Sequence, residues 1–149
     1  MSGADRSFDL QWVMSVLPHR YPFLLVDRVL ELVPGQRVVA LKNVTVNEHY
    51  FQGHFPGHPV VPGVLLVEGL AQAGGLLLLH DHAERDGKLL YFTSIEKARF
   101  RRPVVPGDQV RYEVEVVHRR PRHAKLAGKV LVGGTLAADA VITSAMVDR

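Results

Sequence analysis

A histidine on a stiff loop and a glutamate in an apolar segment are the residues of this chain best suited to acid–base chemistry. His54 lies in the loop Gly53–Gly63, which contains three prolines and three glycines. Glu68 follows in an apolar run. A histidine has an unperturbed pKa of about 6.5, so His54 can accept a proton near pH 7. Burial disfavours the charged carboxylate, so Glu68 is predicted to have a raised pKa and to act as an acid.

The segment from Pro62 to Leu79 is predicted to be the helix that carries Glu68. Proline is tolerated in the first turn of a helix, and the later residues are apolar on nearly every face, as in a buried helix. Gln72 lies four residues after Glu68, on the same face and within hydrogen-bonding reach. The amide of Gly63 lies at the helix start, where unpaired N–H donors favour negative charge. Base, acid and amide donor together indicate proton abstraction beside a carbonyl. The alternative for Glu68 is a structural carboxyl satisfied by Gln72 or by backbone groups.

This segment, HFPGHPVVPGVLLVEGLAQ, resembles the active-site segment of the FabZ-type (3R)-hydroxyacyl-[acyl carrier protein] dehydratases of fatty-acid synthesis. The resemblance continues in LPHRYPFLLVDRV, NVTVNEHYFQGHFPG and YFTSIEKARFRRPVVPGDQV, and so covers nearly the whole chain. It implies that His54 and Glu68 are the catalytic pair and that the Gly63 amide binds the thioester carbonyl. It further implies that Tyr91 gates the acyl tunnel, for which the alternative is a core aromatic. The reaction implied removes water from a 3-hydroxyacyl thioester to give a trans-2-enoyl thioester, without a metal or organic cofactor.

The same resemblance implies an α+β hot-dog fold, in which a curved antiparallel sheet wraps one long helix. It also implies a homodimer, often assembled as a trimer of dimers, and an acyl carrier protein as the partner. Related dehydratases place the histidine of one subunit beside the carboxylate of the other, although the sequence leaves an intrachain pair open. Three residues depart from the expected pattern and affect the expected pocket shape: His49, His58 and Val61. Isomerising relatives have an aspartate where Glu68 stands, so isomerase activity is not expected.

The remaining segments predict one short helix and six strands around the buried helix, in a single domain spanning 1–149. The short helix is predicted over Phe8–Leu17, with Asp9 as its N-cap. The strands are predicted over Phe23–Val33, Gln36–Val46, Leu89–Phe100, the alternating stretch from Val110, Lys125–Val132 and Leu136–Val147. In the loop before the first strand, we expect His19 and Arg20 to brace the backbone by hydrogen bonds, with a functional role as the alternative.

Composition places the chain among globular proteins, with 47% hydrophobic residues, 22% charged residues and no cysteine in 149 residues. The absence of cysteine excludes disulfides and fits a reducing compartment. The N-terminal residues lack the pattern of a signal peptide, and the only long apolar run contains Glu68 and Gln72, which is unusual for a membrane span. We therefore expect a cytoplasmic protein that does not enter the membrane.

The net charge is +3, and the basic residues form two clusters. Lys97, Arg99, Arg101 and Arg102 are predicted to dock an acidic carrier, and the alternative is solvated strand ends. The second cluster contains Arg119, Arg120, Arg122 and Lys125. Nucleic acid is not an expected partner, because no nucleic-acid motif accompanies these residues.

Zinc and thioester hydrolysis are the main chemical alternatives. The chain has eight histidines but no HExxH motif, and Pro56 and Gly57 break the helical spacing between His54 and His58. No metal site is therefore predicted. A hot-dog thioesterase would act on the same class of thioester, as would a related hydratase or dehydratase using another carrier. A thioesterase would need an activated water or a carboxylate nucleophile in place of the elimination pair.

Overall fold

Two helices and six strands follow one another in the order expected from the sequence. The computed structural model describes residues 8–149; residues 1–7, which include much of the segment behind the signal-peptide expectation, lie outside that range. The helices are α1 (Leu10–Val16) and α2 (Gly63–Leu79), with short 3-10 turns at His49–Gln52 and Arg85–Gly87. The strands are β1 (Arg28–Val33), β2 (Arg37–Asn43), β3 (Lys88–Phe100), β4 (Gln109–Arg120), β5 (His123–Val132) and β6 (Thr135–Asp148).

The six strands form one antiparallel sheet in the order β1-β2-β4-β5-β6-β3. The central strands alternate buried and more exposed residues, as a sheet with one covered face requires. The tight turn between β5 and β6 is formed by Gly133 and Gly134, whose φ angles of 55° and 81° favour glycine. This confirms the hairpin predicted at that position.

Strand β3 is an edge of the sheet and is exposed from Tyr91 to Phe100. Its pairing with β6 shifts register between Phe92 and Ser94 and again between Glu96 and Arg99. Lys97 lies in the second shift with a φ of 53°, a left-handed conformation that is uncommon for a residue with a side chain. The strand is therefore long but irregular.

Helix α2 lies against five of the six strands, β2 to β6. Every residue from Gly69 to Leu79 is buried except Ala71, which is half-buried. Glycine permits this close packing, because a Cβ on Gly69 would overlap the phenol of Tyr112, and one on Gly74 would overlap the side chain of Leu126. The α+β architecture of a sheet around one buried helix is confirmed. Within residues 8–149, no helix is both long enough and apolar enough to cross a membrane.

The first strand is shorter than the predicted Phe23–Val33. The strand begins only at Arg28, because two earlier residues form hydrogen bonds with the side chain of Gln72. Leu25 N–H donates to Gln72 Oε1, and the Phe23 carbonyl oxygen accepts from Gln72 Nε2. These bonds attach the loop between α1 and β1 directly to α2. That loop consequently forms one wall of a cavity beside Glu68.

Candidate active site

The loop that carries His54 is closed by hydrogen bonds of its own backbone. The amide of Val60 donates to the carbonyl oxygen of His54 at 3.1 Å, and Phe55 and His58 exchange two backbone bonds of 3.0 and 2.8 Å. The His54 ring stacks on Phe55, with a centroid distance of 4.0 Å and an interplanar angle of 26°. The imidazole is therefore held on a loop whose backbone is already ordered.

One hydrogen bond decides which nitrogen of His54 is free to act as a base. Its Nδ1 lies 2.8 Å from the carbonyl oxygen of Val60. A carbonyl oxygen only accepts, so Nδ1 carries the proton and donates it to Val60. In the neutral imidazole, Nε2 then has the lone pair, and it is the atom that can remove a proton from a substrate.

An ion pair supports the turn that precedes this loop. Lys42 is 7% exposed, and its Nζ lies 3.1 Å from Oε1 of Glu48. The second carboxylate oxygen of Glu48 accepts from both N–H and Oγ1 of Thr45, each at 3.2 Å. The 3-10 turn begins directly after Glu48, and its Tyr50 carbonyl accepts the amide of His54 at 3.0 Å. The buried cation thereby stabilises the turn from which the loop of His54 starts.

His54 and Gly63 line the same open cleft, of about 520 Å³, together with Phe100 and Arg102. Helix α2 begins at Gly63 after the N-cap Pro62, so the first amides of the helix have no intrahelical acceptor. A Cβ on Gly63 would lie 2.8 Å from Cδ1 of Phe100, so glycine permits the close approach of β3 to the helix start. The cleft thus combines a base with amide donors suited to a developing oxyanion.

Glu68 lies one turn and a half farther along α2, in a different environment. Burial raises the pKa of its carboxyl, and the hydrogen bond from Gln72 partly opposes that rise. Gln72 is 1% exposed; its Oε1 accepts from Leu25 N at 2.8 Å, and its Nε2 donates to Phe23 O at 2.7 Å and to Glu68 Oε2 at 2.9 Å. The two backbone partners fix the orientation of the amide, so its N–H must face Glu68. The predicted bond between the two side chains is confirmed.

Glu68, Gln72 and His19 line a partly open cavity of about 190 Å³, whose other walls include Leu90 and Phe92. The Nε2 of His19 lies 3.7 Å from Oε2 of Glu68. Burial is the larger cause, and the charge of Arg20 the smaller, of a lowered pKa at His19. The cavity therefore brings together an acid, an amide and a second histidine.

Arg20 has the bracing role expected of the His19–Arg20 pair, but His19 does not. The Arg20 guanidinium donates to the carbonyl oxygens of Leu17, His19 and Met14 at 2.8, 2.6 and 3.0 Å. His19 instead faces Glu68. The sequence left a functional role for His19 as the alternative but did not predict its place beside Glu68, because the spacing of these residues does not show that the loop lies on α2; the bonds of Gln72 do.

His54 and Glu68 line separate cavities within the described chain. His54 lies with Gly63 and Phe100, whereas Glu68 lies with His19 and Phe92. Tyr91 is 58% exposed on β3, so the core alternative does not hold for it in this chain. Successive residues of a strand face opposite sides, so Tyr91 lies across β3 from Phe92.

The predicted docking cations lie near β3 and border two surfaces, and Arg101 lines both of them. Lys97, Arg99 and Arg101 line an open groove of about 450 Å³. Arg101 pairs with Asp139 at 2.9 Å, whereas Arg102 borders the cleft of His54 and lies 3.8 Å from Asp108. Across residues 8–149, no group of three or more His, Asp or Glu side chains has an arrangement that could hold a metal ion.

The family model and the similar curated proteins agree with each other. A family model described as a FabA-like domain matches residues 17–141. A protein of Koribacter versatilis named 3-hydroxyacyl-[acyl-carrier-protein] dehydratase FabZ is 53% identical over 149 residues, which are 100% of this chain and 96% of that protein. The protein of the same name from Geotalea uraniireducens is 50% identical over 142 residues, 95% of this chain and 98% of that protein.

Solved structures of low sequence identity share the fold. A chain of the dehydratase heterocomplex ApeI:P from Xenorhabdus doucetiae matches with a TM-score of 0.80 at 17% identity, over 92% of this chain and 91% of that one. The smu.793 protein of Streptococcus mutans, solved with acetyl CoA, matches with a TM-score of 0.62 at 15% identity, over 89% of this chain and 97% of that one.

Proposed function

Since this chain belongs to the FabA-like domain family, we propose that it is a (3R)-hydroxyacyl-[acyl carrier protein] dehydratase of fatty-acid synthesis, built as a single hot-dog domain. The observation that carries the proposal is its similarity, along nearly its full length, to proteins named as such dehydratases. The local chemistry agrees with it, because a histidine with a free Nε2 and a carboxyl with a raised pKa suit elimination of water. A chain without cysteine fits a reducing compartment, and the cytoplasm is the proposed location of this protein.

In the proposed reaction, His54 and Glu68 act on adjacent carbons of the acyl chain. Nε2 of His54 takes the proton from C2, and the electron pair of that C–H bond forms the C2=C3 double bond. The C3–O bond breaks, and the hydroxyl leaves as water after receiving the proton of Glu68. The amide of Gly63 stabilises the negative charge that develops on the thioester oxygen, an effect worth roughly 3 kcal/mol for one donor in other enzymes. Gln72 holds the carboxyl of Glu68 in place.

We propose that the active site is completed by a second copy of the chain. Base and acid line separate cavities of one chain, and the edge strand β3 is exposed and available for pairing. A two-fold axis beside β3 would join the cleft of one copy to the cavity of the other and would form two equivalent sites. A homodimer, further assembled as a trimer of dimers, is the proposed oligomer. Tyr91, on the opposite side of β3 from Phe92, is the proposed gate to the acyl tunnel.

The proposed partner is an acyl carrier protein, docked by Lys97, Arg99, Arg101 and Arg102. These cations border both the outer groove and the cleft of His54, so an acidic carrier held there would deliver a thioester to the catalytic loop. Among the four, Arg101 and Arg102 are already near carboxylates. Lys97 and Arg99 are therefore proposed to contribute most of the attraction.

The decisive experiment supplies the protein with 3-hydroxyacyl or trans-2-enoyl thioesters and follows the absorbance of the conjugated enoyl group. Formation and loss of that absorbance is the expected result, and His54→Ala or Glu68→Gln should each lower turnover by roughly 10²–10⁴-fold. The double variant should be little worse than the poorer single one, because the two groups act as a unit. His58→Ala, on the same loop but exposed and outside the cleft, is the control.

Two results would contradict this function or part of it. Release of free thiol without any change in enoyl absorbance would indicate a thioesterase. Near-normal turnover by Glu68→Gln, with a correctly folded protein, would leave His54 to transfer both protons and would remove Glu68 from the mechanism.

A further inference from the structure

His19 and His54 keep their imidazole protons on opposite nitrogens. In His54 the proton is on Nδ1, because that atom faces a carbonyl oxygen. In His19, Nδ1 is buried and has no hydrogen-bond partner within residues 8–149. A proton on that atom would be a buried donor without an acceptor, which costs about 1–3 kcal/mol. A proton on Nε2, which faces the cavity, can be bonded by any oxygen placed there. The neutral His19 ring is therefore a donor through Nε2.

The surroundings of His19 disfavour a second proton on its ring. Burial and the charge of Arg20 both lower the pKa of His19, and the Arg20 guanidinium is fixed in place by three carbonyl oxygens. The neighbouring ionisable group in the cavity is Glu68, which burial favours in its neutral form. His19 thus presents a single N–H to the cavity near neutral pH.

That N–H lies beside the acid that is to protonate the leaving group. His19 Nε2 and Glu68 Oε2 are 3.7 Å apart, which is longer than a direct hydrogen bond. Oε2 already accepts the N–H of Gln72, so the proton of the neutral carboxyl is favoured on Oε1. The carboxyl of Glu68 and the Nε2–H of His19 line the same cavity, so both can donate to an oxygen atom of a substrate bound there.

We propose that His19 is a further catalytic residue, whose Nε2–H donates a hydrogen bond to the 3-hydroxyl oxygen of the substrate while the C3–O bond breaks. The inference rests on the proposed dehydratase function. During the step, the oxygen gains negative charge and takes the proton of Glu68, and the hydrogen bond from His19 stabilises that charge. His19 keeps its own proton throughout, so the products remain the enoyl thioester and water.

The test separates contact with the hydroxyl from general support of the cavity. His19→Met removes the donor and keeps an apolar side chain, whereas His19→Gln places an amide N–H near the position of Nε2. Each variant is assayed with a 3-hydroxybutyryl thioester as the substrate and with a butyryl thioester, which lacks the hydroxyl, as a competitive inhibitor. In His19→Met, kcat/KM should fall by about 10- to 100-fold, the range expected for one lost transition-state hydrogen bond.

The butyryl inhibitor and the His19→Gln variant distinguish a lost hydrogen bond to the hydroxyl from a general disturbance of the cavity. The inhibition constant of the butyryl thioester should stay within about twofold of the wild-type value, since no hydroxyl is involved. His19→Gln should recover most of the lost kcat/KM. His80→Met is the matched control, because His80 also has a buried ring nitrogen without a hydrogen-bond partner within residues 8–149, but lies at the far end of α2.

Three outcomes would overturn the inference: an unchanged kcat/KM in His19→Met, equal weakening of substrate and inhibitor, or no recovery in His19→Gln. If His19→Met does not fold, His19→Asn replaces it, because its shorter amide does not reach the position of Nε2 and should lose the rate that His19→Gln keeps. Wild-type protein that does not dehydrate the substrate contradicts the proposed function instead. The two failures are therefore distinguishable.

Discussion

Gln72 controls the acidity of Glu68 as well as its orientation. Burial raises the pKa of the carboxyl, and the N–H of Gln72 lowers it by stabilising the carboxylate form. The amide of Gln72 cannot turn away, because Leu25 and Phe23 hold its other polar atoms. A proton donor must be protonated to act, so the rate of dehydration should fall as the pH rises through the pKa of Glu68.

The fall of the dehydration rate at high pH forms the alkaline limb of the pH profile. Replacing Gln72 by methionine should move this alkaline limb to higher pH. Gln72→Met removes the donor to Oε2, so the carboxylate is less stable and the pKa of Glu68 rises further. The dependence of kcat on pH measures the shift, with Gln109→Met as the control, since Gln109 bonds Asn43 on the exposed part of the sheet. A limb that stays in place or moves to lower pH would show that Gln72 does not set the acidity of this group.

At the level of elements, the close packing of α2 on β4 depends on one glycine. A methyl group on Gly69 would overlap the ring of Tyr112, which is 1% exposed and bonds Leu25 O at 2.9 Å, so the ring cannot move aside. Gly69→Ala should therefore lower the free energy of unfolding by about 1–3 kcal/mol, as overpacked cores do.

Thermal unfolding of Gly69→Ala and Gly87→Ala checks this prediction. Gly87 has open space around the position of a Cβ and an ordinary φ, so its substitution should leave the melting temperature nearly unchanged. Equal melting temperatures of the two variants would mean that the helix can shift away from the sheet without cost.

Most elements of the fold are predictable from local patterns. The loop of His19, which forms one wall of the cavity beside Glu68, is not. Proline and glycine positions and period-two alternation predict α2, the β5–β6 hairpin and the three last strands to within a few residues. The strand predicted from Phe23 begins only at Arg28, because a side chain forty-seven residues away takes the Leu25 amide. The position of His19 follows from the same long-range bonds. Such contacts leave no periodic signal in the sequence.

At the level of the assembly, the separation of base and acid leads to a complementation experiment. If two chains share each site, a dimer of His54→Ala and Glu68→Gln chains has one site with both defects and one site with neither. Random remixing makes half of the dimers mixed, so about a quarter of the wild-type activity should return. Each variant assayed alone gives the baseline.

Native mass spectrometry must confirm that subunits have exchanged before the activity is interpreted. No recovery in a sample with proven mixed dimers would place the catalytic pair within one chain. A recovery well above a quarter would mean that one of the two variants retains activity, and the baseline assays would reveal which.

The proposed docking of an acyl carrier protein depends on the charge of the whole surface, so it should respond to salt. Raising the salt from ~50 to ~300 mM shortens the screening length, so KM for a carrier-bound substrate should increase while KM for a short thioester mimic stays nearly constant. Arg99→Glu should have the same selective effect, and Arg37→Glu, already paired with Glu31 on another strand, is the matched control. Equal salt dependence for both substrates would contradict docking by this patch.

The exposed edge of strand β3 affects how readily a newly synthesised chain aggregates. An unpaired edge of thirteen residues with exposed Tyr91, Phe92, Ile95 and Phe100 is a template on which any extended polypeptide can add a strand. The register shifts against β6 and the left-handed Lys97 interrupt the regular extension of that edge, which hinders the addition of a foreign strand. Aggregation during synthesis should therefore increase if Lys97 and its neighbours are replaced by a regular β-branched run, even where the assembled protein tolerates the change.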